Sequence, residues 1–336
     1  MADPQPGTSE WRALVQEPII DPDRVIVDPH HHLWHFAFGS RYLLDALWAD
    51  TSSGHNVTKT VYLECGSFYR DDGPDHLRPV GETEAVREIA ETSDAGNGQA
   101  VISAIVGRAD LALPELDEVL DAHEAAGGGL FRGIRHAGSF AREPDALVIK
   151  GRAPEGLYAD ANFRRGVKRL GERGYTYDTW HYHYQNPDYA ELARAVPDTI
   201  MVLDHFGTPL GVGPYASQRE EIFAQWKKDI AEIAACPNVV AKLGGLAMPD
   251  NGFGWHTAAA PPDSQTFADA QRRYYLHTID VFGPERCMFE SNFPVDRLSI
   301  SYPVLWNGMK RIVSEFNDAE QDAMFSGTAS RVYRLN

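Results

Sequence analysis

The segment Asp28-Pro29-His30-His31-His32-Leu33-Trp34 follows directly on the apolar run Val25-Ile26-Val27. Side chains at i and i+2 of an extended segment point to the same side. His30 and His32 can therefore aim two imidazoles at one point, a common way to hold catalytic zinc, iron or manganese. The same alternation turns His31 away. A chance histidine cluster is the plain alternative. The strand before it and the histidines that recur later favour the ligand reading.

Other chemically capable groups stand where further apolar runs stop. Glu64-Cys65 follows residues 58–63, Arg135-His136 follows 130–134, and Trp180-His181-Tyr182-His183 follows 175–179. Asp204-His205 follows 199–203, Lys242 lies near the end of 239–243, and Glu290-Ser291-Asn292-Phe293-Pro294 follows 286–289. Packing alone does not explain apolar strands that repeatedly end in His, Glu or Arg. Convergence at the mouth of a barrel does. His205 is a ligand, a substrate donor or a core histidine, and His181 is better placed than His183, which lies further into its loop. Glu64 is a ligand, a general base or an arginine's partner. Lys242 assists the reaction or forms a rim salt bridge. Cys65 and Cys287 read as packing residues, with no activating arrangement beside them.

These positions need elements to hold them. Eight β-branched runs, the last two being 239–243 and 286–289, alternate with helical periodicity over 82–91, 113–125, 159–172, 189–195, 219–235 and 267–280. Strand followed by helix, repeated eight times, predicts an α/β fold, a (β/α)₈ TIM barrel. Histidines stand where a dinucleotide fold would carry its glycine fingerprint. Gly127-Gly128-Gly129 precedes a strand and reads as a helix terminator. Tyr302, Leu305, Met309 and Ile312 recur at helical spacing and should face the core. Segments 35–56 and 244–265 lack clear periodicity and should be loops on the catalytic face. The second reads as a lid or pocket wall, or as a disordered insertion.

Of 336 residues, 48 are acidic and 31 basic, for a formal charge of -17. Such a surface repels nucleic acid and anionic lipid, and no apolar run approaches a membrane span. A small anionic substrate stays compatible, because Arg135 and Lys242, joined by Arg41 and Arg70, could make the pocket locally positive. The three widely spaced cysteines argue against a disulfide framework and suit a reducing cytoplasm. Residues 1–20 carry no signal-peptide pattern and read as a flexible arm, with Trp11 and Leu14 as its anchors. Residues 21–336 read as one barrel domain, and a homo-oligomer is compatible.

The motifs VDPHHHLW, RGIRH, VLDHFG, VVAKLGGL and RCMFESNFPVD together span nearly the whole chain. They resemble the amidohydrolase superfamily, in particular the amidohydrolase-related branch containing pyrone-dicarboxylate lactonase and sugar-acid lactonases. The resemblance implies a distorted (β/α)₈ barrel and hydrolysis of a lactone or related ester. Some members of that branch bind one divalent metal and others work without one. The broader group also includes nonoxidative decarboxylases of aromatic acids. His30, His32, His181 and His205 match the family's histidines. The departure is ESNFP where the family presents a segment like GSDWP, which puts Asn292 in the aspartate's place. An amide cannot accept water's proton as a carboxylate does.

The expected enzyme is therefore a hydrolase of a small carboxylated lactone. Zinc first, or manganese second, is held by His30, His32 and His181. Glu64 or Asp296 serves as base, with Glu290 the other carboxylate in reach. Arg135 binds a carboxylate or the developing oxyanion, Lys242 assists, His205 acts in catalysis and Asn292 hydrogen-bonds substrate or water. A decarboxylase of an aromatic or unsaturated acid and a weakly catalytic metabolite-binding barrel are the rival readings.

Overall fold

A computed structural model describes residues 4–95 and 98–335. Eight parallel strands form one sheet: β1 Val25–His31, β2 Asn56–Leu63, β3 Val101–Gly107, β4 Phe131–Arg135, β5 Thr176–Thr179, β6 Met201–Leu203, β7 Val239–Leu243 and β8 Cys287–Phe289. Each is followed by a helix: α1 Leu44–Thr51, α2 Val80–Asp94, α3 Leu116–Gly127, α4 Ala161–Glu172, α5 Asn186–Ala195, α6 Arg219–Ala234, α7 Ser264–Phe282 and α8 Tyr302–Ile312. Strand order follows chain order, so the fold is a distorted TIM barrel. No helix among the described residues is long and apolar enough to cross a membrane.

The barrel is nearly closed. Between β8 and β1 the ladder shrinks to one bridge, His31 to Phe293, with the His32 amide donating to the Phe293 carbonyl at 2.8 Å. Pro29 has no amide to give, and β8 is only three residues long. A side chain stitches the seam instead. Asp28 Oδ1 accepts from the Ser291 amide at 2.9 Å and Oδ2 from the Tyr302 hydroxyl at 3.0 Å.

Alternation along each strand sorts the barrel interior. Val27, Val61, Leu63, Ala104, Val106, Val202, Val240 and Met288 form an inner apolar cluster, sealed below by Ala329, Val332 and Tyr333 of the C-terminal tail. Two residues beyond three of these stand Asp204, Lys242 and Glu290, all fully buried. The period of two thus carries the interior face from hydrocarbon into charge at the strand ends.

Two features differ from the sequence expectation. Segment 35–56 is ordered: a hairpin, Trp34–Ala37 paired with Ser40–Tyr42, leads into α1. A helix of eight residues is too short to show clear periodicity. Segment 244–265 is built into the protein wherever it meets the barrel. Residues 244–251 are buried, and Asp250 accepts from the Val148 and Ile149 amides at 2.7 and 2.8 Å. Tyr302, Leu305, Met309 and Ile312 face the core as expected. Gly128 adopts the left-handed conformation that ends α3. In the N-terminal arm, Trp11 is buried, its indole donating to the Ala258 carbonyl at 2.9 Å, while Leu14 is half exposed.

Candidate active site

His30 and His32 leave the end of β1 on the same side, and their Nε2 atoms lie 3.2 Å apart. Their partners set the tautomers. His32 Nδ1 lies 2.9 Å from the Leu63 carbonyl, which can only accept. His30 Nδ1 lies 2.7 Å from Glu290 Oε2, a carboxylate that can only accept, and 3.4 Å from the Lys242 ammonium, which can only donate; the shorter contact assigns it the proton. Burial holds both imidazoles well below their ordinary pKa, hence neutral. Two Nε2 lone pairs then face one another across 3.2 Å. This contact is repulsive unless a cation joins it. Arg135 Nη1, 3.3 Å from His30 Nε2, relieves part of it. His31 turns the other way, to Thr60 Oγ1 at 3.0 Å.

Glu290 organises the next imidazole as well. Its Oε1 lies 2.6 Å from His205 Nδ1, which leaves His205 Nε2 for the cavity. Burial opposes the charges of this pair, but each partner stabilises the other. Glu290 is held down to about 2 by His205 and His30, and His205 is pushed up by Glu290. The backbone pays locally: His205 and Asn292 both sit at φ of 54°, a region costly for residues with a Cβ. Gly244 and Gly245 make the room. A Cβ on Gly245 would lie 2.3 Å from His205 Nδ1, and one on Gly244 would lie 2.4 Å from Glu290 Cγ.

Asp204 lies beside these histidines, fully buried, and neither carboxylate oxygen makes a hydrogen bond of good geometry. Lys242 Nζ stands 3.1 Å from Asp204 Oδ1 and 3.1 Å from Asp178 Oδ2. One ligand-capable atom from each of His30, Asp204 and His205 lies within 4.8 Å of the other two. The four carboxyl groups of Glu64, Asp178, Asp204 and Glu290 outnumber the cationic side chains Arg135 and Lys242, and still do with a protonated His205 counted. Opposed imidazole lone pairs, a buried carboxylate without a well-aligned hydrogen bond and an excess of carboxyl groups all fit a divalent cation.

The remaining expected site residues fall in different places. Arg135 Nε donates to Glu64 Oε1 at 2.9 Å, and Nη2 donates to the Glu64 carbonyl. Glu64 therefore anchors Arg135, leaving Nη1 to face the site. Asn292 Nδ2 donates to Asp296 Oδ1 at 2.9 Å, which leaves the amide oxygen to the cavity. Asp296 also accepts from the Ala247 amide at 3.2 Å and is fully buried, which pushes its pKa up to about 7. Lys242 is inside the barrel, beneath the cavity. His181 is not brought to the His30 cluster: its Nδ1 lies 3.0 Å from the Tyr158 hydroxyl and its Nε2 2.9 Å from Asn186 Oδ1. Alternation along β5 explains this, because the side that points inward carries Asp178 and then Trp180. The pocket is also less positive than expected. Arg41 pairs with Asp45 and Arg70 with Glu84.

Above the cluster opens a cavity of about 210 Å³. His32, Arg135, His205 and Asn292 form its floor, and loop side chains including Trp34, Trp180 and Met248 form its walls. Asp204 and the two tryptophans have no role expected from the sequence, and Glu290 is expected only as a further carboxylate in reach of the base role. The step of two beyond Val202 and Met288 was the signal available for the carboxylates.

A sequence profile of the amidohydrolase family matches residues 27–335. The chain belongs to the amidohydrolase family. Among its relatives, an uncharacterized protein, y4mH, of Sinorhizobium fredii is 32% identical over 93% of this chain and 99% of its own length. An L-fucono-1,5-lactonase of Burkholderia multivorans is 29% identical over 92% of this chain and 96% of its own. A crystal structure of a Burkholderia multivorans amidohydrolase with bound zinc superposes with TM-score 0.71, at 26% identity, covering 93% of this chain and 100% of that one. Family and cluster together make this amidohydrolase a metal-dependent, hydrolase-like enzyme with a candidate divalent-metal site.

Proposed function

We propose that this amidohydrolase opens a small lactone by metal-assisted attack of water. The observation that carries the reading is the set of three imidazoles whose Nδ1 atoms all face an acceptor oxygen, grouped with an Asp204 carboxylate that makes no well-aligned hydrogen bond. A divalent ion held by His30, His32 and Asp204 would polarise the ester carbonyl and acidify water. His205 in its neutral form takes the water's proton on Nε2, and Glu290 stabilises the resulting imidazolium through the 2.6 Å contact with Nδ1. The imidazolium returns the proton to the ring oxygen as the C–O bond breaks. Asn292 Oδ1 accepts a hydrogen bond from the water and orients it, since it cannot take the proton. Arg135 Nη1 donates to the acyl oxygen or to a substrate carboxylate. Glu64 and Asp296 hold Arg135 and Asn292 in place and are not the base in this reading. The relatives bearing the name L-fucono-1,5-lactonase support the lactone class. Unpaired cysteines at 65, 236 and 287 suit a reducing cytoplasm, and residues 21–336 serve as one barrel domain carrying residues 1–20 as an arm.

The test loads the protein with zinc and supplies lactones and hydroxylated aromatic acids, recording proton and carbon dioxide release together. Proton release without carbon dioxide is the expected result; carbon dioxide would select the lyase reading. His205→Asn should keep bound zinc near one per chain while lowering kcat by about 100-fold or more. Loss of zinc in that variant would make His205 a ligand rather than the proton acceptor.

A further inference from the structure

The floor and walls of the cavity differ in chemistry. Each polar side chain of the floor, at the strand ends, already has a task in the reaction. The walls come from loops and are apolar. Trp34 and Phe38 rise from the hairpin after β1, Trp180 from the end of β5, Ile149 from the loop after β4, Met248 from the loop after β7 and Val295 from the loop after β8. No carboxylate lines the cavity among the described residues, and Ser67 offers the one side-chain hydroxyl, its Oγ 3.5 Å from Cys65 Sγ.

We infer that the substrate is a lactone with an apolar aryl or alkyl body, not a polyhydroxylated sugar lactone. This rests on the hydrolase reading above and narrows it. Ring hydroxyls need partners when water is stripped from them, and sites that read them place carboxylates, amides or hydroxyls around the ring. Here a polyol would set several hydroxyls against tryptophan, isoleucine, methionine and valine, each unpaired one costing about tenfold in affinity. A flat hydrocarbon body loses nothing there and gains contact with two indoles. At about 210 Å³ the cavity is smaller than the roughly 300–1,000 Å³ of drug-sized sites, so the substrate is a compact metabolite. Among the described residues Arg135 is the one lysine or arginine that lines it, and it is already paired with Glu64, which does not favour a substrate with several anionic groups.

The experiment uses the zinc-loaded full chain with dihydrocoumarin, an aryl lactone, and D-glucono-1,5-lactone, a polyol. Proton release gives kcat/KM for each, divided by that lactone's own hydroxide-catalysed rate. The aryl lactone should be preferred by about 100-fold. Trp180 is only partly buried, so its replacement spares the core. Trp180→Ser should raise KM for dihydrocoumarin by about tenfold with kcat little changed, and Trp180→Phe should restore most of the loss. Equal or better normalised turnover of the sugar lactone overturns the inference while leaving the hydrolase reading intact. A Trp180→Ser variant that slows both lactones alike overturns it too. If neither lactone is opened, the hydrolase reading itself falls, and this inference falls with it.

Discussion

At the scale of single residues, the site works by assigning protons. The Leu63 carbonyl and the two oxygens of Glu290 face three Nδ1 atoms at 2.9, 2.7 and 2.6 Å. What remains is lone pairs, which suit a cation or a proton in transit. Burial makes the same logic costly elsewhere. Glu82, at the start of α2, gathers the Cys65 and Ser67 amides and the Tyr62 hydroxyl on one oxygen at 3.0, 2.9 and 2.8 Å. Burial first, and then the Glu64 charge, raises it to about 7. A carboxyl whose pKa rises on folding binds more protons in the folded state. Its stabilisation is complete below the unfolded pKa and is lost as pH rises through about 7. Glu82→Gln keeps an acceptor and does not titrate. Denaturant titrations at about pH 5 and about pH 8 should show the variant gaining on the parent by roughly 1–3 kcal/mol at the higher pH. A difference independent of pH would mean that Glu82 is ionised throughout.

At the scale of elements, the loops after β6, β7 and β8 interlock around His205. β6 ends in residues with left-handed backbone, and β7 ends in Gly244-Gly245 pressed against Glu290 and His205. Gly245 needs its glycine twice, for φ of 76° and for the missing Cβ. Gly245→Ala should therefore lower stability by about 2 kcal/mol and turn the His205 ring off Glu290. Turnover should then fall even where far-ultraviolet circular dichroism shows the barrel folded. A fully active Gly245→Ala enzyme would show that the loop yields and that the His205–Glu290 contact is dispensable.

At the scale of the whole molecule, the C-terminal tail reaches the reaction centre from below. The Tyr333 hydroxyl donates to Asp178 Oδ2 inside the barrel. Asp178 pairs with Lys242 at 3.1 Å, and Lys242 pairs with Asp204 at 3.1 Å and lies 3.4 Å from His30 Nδ1. Each buried charge is held by the next, so releasing one end loosens the rest. Tyr333→Phe deletes one hydroxyl from that chain. Thermal or chemical denaturation should show a loss of about 1–2 kcal/mol. Calorimetric titration of zinc into the metal-stripped protein should show affinity weakened by about tenfold. Unchanged affinity would confine Tyr333 to plugging the barrel floor.

Local patterns were enough to read the order of strands and helices, the barrel and the His30/His32 pair, because period-two and period-3.6 spacing are visible along a single chain. The strand-end pattern already offered His205; the family motifs matched it and drew attention to Asn292. What the cluster contains beyond that depended on contacts between distant segments. Asp204 gained its place because β6 directs every second residue inward. Glu290 gained its place because β8, 85 residues beyond His205, brings a carboxylate to that imidazole. His181 is turned to Tyr158 and Asn186 by the register of β5, and no spacing rule within residues 180–183 discloses that. Lys242 is recognisable as a strand residue, but whether it meets substrate or fills the barrel is decided by Asp178 and Asp204 on neighbouring strands. The apolar walls of the cavity come from five separate loops. Loop residues share no periodicity, and only folding determines which of them face one another.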